Sequence, residues 1–259
     1  MFDWLTPDTL ELLGRGLALT LALTVVTSAF ASALAIPVGL LRLSPQHPLH
    51  LLGTGYVEIF RSLPALVLVI GLGFALPNGF APDMRRVLFF DNSFLTSIGN
   101  ITGLSVPYYA IAAVLGLSLN TSAYLAELLR AGVGTLRREH FDAARSLGAT
   151  PAQVLLNLLL PQGIAAAYPA ITTRLIHNMK NTALASFLAV PEFFKAIQAS
   201  ISLSFRAVEL LLVAVAGFLL IAGLMSLLLG TGEVWLKRRR PHRWSARRLS
   251  FSGPFSRRC

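Results

Sequence analysis

Charged side chains are scarce in this chain: 13% of its 259 residues, against about 25% in an ordinary soluble domain. That scarcity excludes an ordinary soluble body, and with 54% hydrophobic residues the chain is built for lipid. Cysteine occurs once, at Cys259, which excludes a disulfide framework within the chain and any cysteine-rich metal site. No GxxxxGK(S/T) loop is present, so the chain holds no ATP in that manner. HExxH and GxSxG are absent too, and a hydrolytic reading would have to recruit scattered His140 or His177. Acidic residues are missing altogether from 237–259, where nine Lys and Arg sit. The remaining 236 residues carry 13 basic and 12 acidic groups, so the net charge of +10 belongs to the tail. A nucleic-acid reading would rest on that tail alone. A basic stretch beside a membrane segment is instead expected to be a solvated anchor to anionic lipid.

What the chain does have is long uncharged stretches. The first runs from Gly16 to Leu41, 26 residues, enough to cross about 30 Å of hydrocarbon. Residues 1–15 carry Asp3, Asp8 and Glu11 against Arg15, unlike the basic start of a secretory signal. Further spans are expected over about 62–81, 104–126, 163–189 and 210–232, giving an all-α integral membrane protein with five transmembrane helices. Residues 42–55 read as a short polar connection, whose His47 and His50 lack carboxylate or thiolate company, so no metal site is expected there. Residues 77–105 read as an external segment rich in Pro, Gly and Asn, and Pro191 to Arg206 as a second external piece. Under an alternating five-span arrangement, Arg42, Arg61, Arg130, Arg137, Arg138, Arg145 and the tail share one side. Arg15, Arg85, Arg86, Lys195 and Arg206 fall on the other. The basic excess marks the cytoplasmic side, so the N-terminus is expected outside and the C-terminus inside.

Two stretches are poor membrane sequence and therefore carry the functional signal. The first, 139–161, is charged and then apolar. Glu139, Asp142 and Arg145 share one flank of a short helix, and Phe141, Ala144 and Leu147 form a strip beside them. Gly148 is expected to end that helix, with Thr150 capping and Pro151 opening a second helix that stops before Pro161. The second stretch lies inside the fourth span. Arg174, Asn178 and Asn181 fall at i, i+4 and i+7, with His177 and Lys180 beside them. Facing lipid, a central Arg or Lys would cost about 2.5–3.5 kcal/mol, so this helix must face protein or water. Arg174 could meet a substrate carboxylate with paired hydrogen bonds. Equally, these groups could satisfy one another or a second subunit.

The spacing Asp142-Ala143-Ala144, Gly148, Leu158, Leu160-Pro161 resembles the EAA loop of ABC-importer permeases, with Asp142 for the usual Glu and Leu158 for the usual Ile. The stretches 58–64 (EIFRSLP), 122–130 (SAYLAELLR) and 178–186 (NMKNTALAS) resemble the polar amino acid branch of that family. The resemblance covers roughly residues 15 to 236. It implies a bacterial inner-membrane permease subunit whose Glu139, Asp142, Ala143, Ala144, Arg145, Gly148, Leu158, Leu160 and Pro161 couple it to an ATPase. It further implies a second permease subunit, same or homologous, an ATP-binding cassette ATPase dimer carrying ATP and Mg, and a periplasmic or lipid-anchored solute-binding protein. No cofactor is expected on this chain, and no enzymatic activity. The alternative class is an ion-gradient-driven secondary transporter or channel, against which stand the lack of a detectable inverted repeat and the few intramembrane carboxylates.

Overall fold

The computed structural model describes residues 6–91, 107–136 and 138–238, and every regular element among them is helical. Helix α1 spans Pro7–Leu43. Thr6 caps it by accepting a hydrogen bond from the Thr9 amide at 3.2 Å, and Pro7 sits in the first turn, where its missing N–H costs nothing. The helix runs on through Pro37. Its buried positions, among them Gly16, Thr20, Leu23, Thr27, Ala31 and Ala35, recur every three or four residues and form one stripe. Small and hydroxylated side chains thus face the protein, while Leu21, Val25, Phe30 and Ile36 stand exposed. That inversion suits lipid. Acyl chains are as apolar as leucine, so helices are held by close packing and hydrogen bonds rather than by burial of apolar area.

The expected short connection over 42–55 is not what forms, and the span expected over about 62–81 is joined to a helix ahead of it by a sharp bend. Helix α2 covers His47–Ser62 and helix α3 covers Ala65–Asn78, and the two meet at a bend of 100°. Pro64 explains the break: it has no N–H to donate and pushes Leu63 into an extended conformation (φ −80°, ψ 132°). The carbonyls released at the break are caught by the next long helix. The Asn120 amide donates to Phe60 O at 2.9 Å and Leu63 O at 3.2 Å, and the Tyr124 hydroxyl donates to Arg61 O at 3.2 Å. Helix α4 follows over 82–90. The second half of the expected external segment, 92–105, and the tail beyond Arg238 lie outside the described residues.

Helix α5, Tyr108–Gly134, is the hub: 61% of its apolar window is buried, against 17% for the last helix, which faces outward. After helix α6, Arg138–Ser146, helix α7 runs Pro151–Leu188. The expected stop before Pro161 does not occur. A wide turn over Val154–Leu159, in which the Leu160 amide reaches back to Leu155 O, shifts the bonding register just ahead of the proline and makes room for its ring. The last turns of α7 tighten over Thr182–Leu188 and end at Ala189, in the left-handed region at φ 58°. Helix α8 is Phe193–Ser204 and helix α9 is Ala207–Arg238. Glu192, expected in an external piece, is fully buried: its carboxylate accepts the Phe194 and Lys195 amides at 2.9 and 2.8 Å and the Thr20 hydroxyl at 3.3 Å. Burial pushes its carboxyl above the usual range, and those hydrogen bonds oppose the shift.

Among the described residues four helices, α1, α5, α7 and α9, are long and apolar enough to cross a membrane, and a fifth span results if the bent pair α2–α3 counts as one. The tightest crossing joins α5 to α7. A Cβ placed on Gly132 would lie 2.3 Å from Gly163 O, and one on Gly163 would lie 2.5 Å from a Val133 methyl. Only glycine permits that approach.

Candidate functional site

The polar residues of α7 meet those of α5 beside the α2–α3 break. Arg174 Nη2 donates to Asn120 Oδ1 at 2.6 Å and Thr121 Oγ1 at 3.4 Å, and its Nη1 donates to His177 Nδ1 at 3.2 Å. Because that Nδ1 must accept, the neutral ring carries its proton on Nε2. The guanidinium also stacks on Tyr124, with Cζ 3.9 Å from the ring centroid, and Arg61 approaches the same ring at 5.9 Å. Arg174 Nε is shielded from solvent and has no partner. No ion pair to a carboxylate joins Arg61 or Arg174 among the described residues. Arg61, Asn120, Tyr124, Arg174 and His177 line a cleft of about 370 Å³, completed by residues 62–66, Asn181 and Leu184.

The structure separates residues that the sequence grouped. Arg174, His177 and Asn181 share the cleft. Asn178 lies one layer deeper and is fully buried. Its Oδ1 accepts from Thr121 at 2.9 Å, and its Nδ2 donates to Thr27 Oγ1 at 2.8 Å and Ser28 Oγ at 3.1 Å. It is a tie among α1, α5 and α7 and is absent from the cleft wall. Lys180 lines a different, apolar groove with Phe194, Leu211 and Phe218, since six residues advance a helix by about 240°. Asn120, Tyr124 and Arg61 were not assigned to the site beforehand. Their signal was an Asn in mid-span and an Arg just ahead of a span-opening proline.

Nearer the other end of α5, Glu127 bridges two cations, Arg42 from α1 and Arg130 one turn on, the latter at 2.7 Å. Beyond it lies the second feature, a two-helix knob. Glu139, Asp142, Ala143, Ala144 and Arg145 all lie on α6. The helix closes as the sequence suggested. Gly148 takes φ 84°, its amide bonds to Arg145 O at 2.9 Å, and the Ala149 amide bonds to Ala144 O at 3.1 Å. Thr150 and Gln153 then cap α7 reciprocally, hydroxyl to amide at 3.3 Å and side-chain oxygen to amide at 2.9 Å. Ala144, Ala149, Leu155 and Leu158 pack against buried Val133, Val154 and Leu159, so the knob is clamped to the end of α5. Leu160 is half-buried and Pro161 exposed. Glu139, Asp142, Arg145 and Gly148 are exposed, and Leu147 projects with 89% of its surface free.

A family described as binding-protein-dependent transport system inner membrane component matches residues 31–239. The chain belongs to that family of membrane components. It is 31% identical over 223 residues to the nopaline transport system permease protein NocM of Agrobacterium fabrum, covering 86% of each chain. It is 29% identical over 242 residues to the glutamate/aspartate import permease protein GltK of Escherichia coli O157:H7, covering 92% of this chain and 98% of that one. A crystal structure of an amino acid ABC transporter with histidines superposes with a TM-score of 0.69 at 25% identity, covering 88% of this chain and 95% of that one. The inward-facing MetNI methionine ABC transporter shares the fold, with a TM-score of 0.66 at 20% identity over 90% and 99% of the two chains.

Asn178→Leu tests the separation of tie from cleft. It strips partners from Thr27, Ser28 and Thr121 and is expected to cost about 1–3 kcal/mol, a Tm loss of several degrees in detergent. His177→Ala, at an exposed position, is expected to stay within about 0.5 kcal/mol. An unchanged Tm for Asn178→Leu would sink the assignment.

Proposed function

We propose that this chain is the permease subunit of an ATP-driven importer that moves a polar amino acid across the bacterial inner membrane. The observation that carries the reading is the Arg174 guanidinium. It is oriented by Asn120, Thr121, His177 and Tyr124 at a cleft, retains a buried unpartnered N–H, and has no carboxylate of the described chain to neutralise it. A substrate α-carboxylate supplies the missing negative charge. The printed activities of NocM, GltK and the solved amino acid transporter support the substrate class.

In this reading the exposed knob of α6 and the start of α7 docks on an ATPase subunit, which carries the ATP and Mg. Asp142 and Arg145 supply charge to the contact, Leu147 an apolar tip, and Gly148 the turn between the helices. A second permease subunit, same or homologous, and an external solute-binding protein complete the importer. The knob and the C-terminus lie in the cytoplasm and the N-terminus outside.

Three outcomes test this reading. Arg174→Gln is expected to lower amino acid uptake by about tenfold or more, the worth of a charge-assisted bond, while the assembled complex is recovered in normal yield. Full uptake at full yield would overturn the role of Arg174, and uptake driven by an ion gradient without ATP would overturn the class. Gly148→Val forces a β-branched residue into the left-handed region. The variant protein should insert but no longer co-purify with the ATPase, and normal co-purification refutes the docking role. A reporter active only in the cytoplasm should work when fused after Arg240 and be silent near Asn92, and the reverse pattern inverts the orientation.

A further inference from the structure

We propose that the cleft selects its substrate by charge and takes an amino acid bearing a net negative charge, with the substrate's second anionic group held by Arg61. This rests on the reading of the cleft as the substrate path and goes beyond it, because a polar amino acid as such needs only one cation. The described lining supplies two guanidinium groups, Arg61 and Arg174, both directed at the Tyr124 ring. It supplies no carboxylate. Of the other polar side chains there, His177 adds a donor, its Nε2–H, fixed by its Nδ1 accepting from Arg174, while Asn181 turns its Nδ2 to that same ring and adds no charge. The best acceptor in the lining, Asn120 Oδ1, is already taken by Arg174 at 2.6 Å.

Such a wall treats substrates unequally. One carboxylate neutralises Arg174 through the hydrogen that Nη1 does not spend on His177, since Nη2 is held by Asn120 and Thr121 and Nε is shielded from solvent. Arg61 then remains a second unneutralised cation beside the same ring, and repulsion between the two falls only when another anion enters. A cationic side chain would meet two like charges and no acid. A neutral amide would leave Arg61 uncompensated. Lys180 lines the separate apolar groove, yet its charge is felt at His177 and adds to the positive balance.

The test is direct binding to the purified full-length chain in lipid nanodiscs, with L-glutamate, L-glutamine and L-arginine as probes. They present a similar α-carbon with side chains that are anionic, neutral and cationic. L-Glutamate is expected to bind about tenfold or more tighter than L-glutamine, with L-arginine weakest. Arg61→Gln is expected to bring the glutamate-to-glutamine ratio close to one, whereas Arg85→Gln, outside the cleft, leaves the ratio in place. Equal affinity for L-glutamate and L-glutamine in the native chain, stronger L-arginine binding, or no L-glutamate binding at millimolar concentration each overturns the proposal. Arg174→Gln separates it from the reading it rests on. If that variant weakens every probe while the native chain shows no preference among them, only charge selection fails. If it leaves every probe unaffected, the cleft is not the path.

Discussion

A polar group inside a bilayer has no water to bond, and the core of this protein is arranged around meeting that constraint at Asn178. One amide joins Thr27 and Ser28 of α1 to Thr121 of α5 from its seat on α7. Three of the long helices are thereby registered at one depth. The Arg174 guanidinium, one turn earlier on the same helix, is then delivered to Asn120 and Tyr124, the neighbours of Thr121 on α5. Asn120 in turn closes the carbonyls opened by the α2–α3 break. The bend, the cleft and the three-helix contact form one connected set of hydrogen bonds, in which each member satisfies a group that lipid could not.

The cleft and the knob are built on the same two helices. Helix α5 carries Asn120 and Tyr124 midway and ends against the knob at Val133. Helix α7 begins within the knob and carries Arg174 further along. Displacing the knob therefore moves both walls of the cleft through continuous helix, without a flexible linker between them. The Glu127 bridge to Arg42 and Arg130 lies between the two features and ties α1 into the same unit.

Much of this was legible in the sequence, and the failures have definite causes. The membrane class follows from uncharged runs too long for anything else, and the turn at Gly148 from a residue type that alone tolerates the left-handed region at no cost. Helix α2 was missed although His47, His50, Thr54, Glu58 and Arg61 recur at helical spacing: Pro45, Pro48, Gly53 and Gly55 make the stretch read as a loop, and Pro48 lies in the first turn, where it is harmless. Pro161 looked like a stop because its usual effect is to break a helix, and the wide turn ahead of it leaves no mark in composition. Within the cleft, spacing identified Arg174 but could not tell Asn178 from Asn181. Both lie on one face, and only the third helix packed against that face decides which is sealed in. Nothing in the sequence marked Glu192 as buried, because the Thr20 hydroxyl that helps two amides replace its water comes from α1, 172 residues away.

The contact between Gly132 and Gly163 has a mechanical meaning. Where helices meet through long side chains, a change of rotamer can absorb a small displacement. At this crossing, immediately beyond the knob, Gly132 faces the Gly163 carbonyl with only Ala167 and Val133 beside them, so little can yield. A push applied at α6 is accordingly passed to α5 before it can be dissipated, and the joint behaves as a stiff fulcrum. Compliance must lie farther along, where the wide turn of α3 over Gly71–Ala75 and the tightened turns of α7 over Thr182–Leu188 depart from regular α-helix.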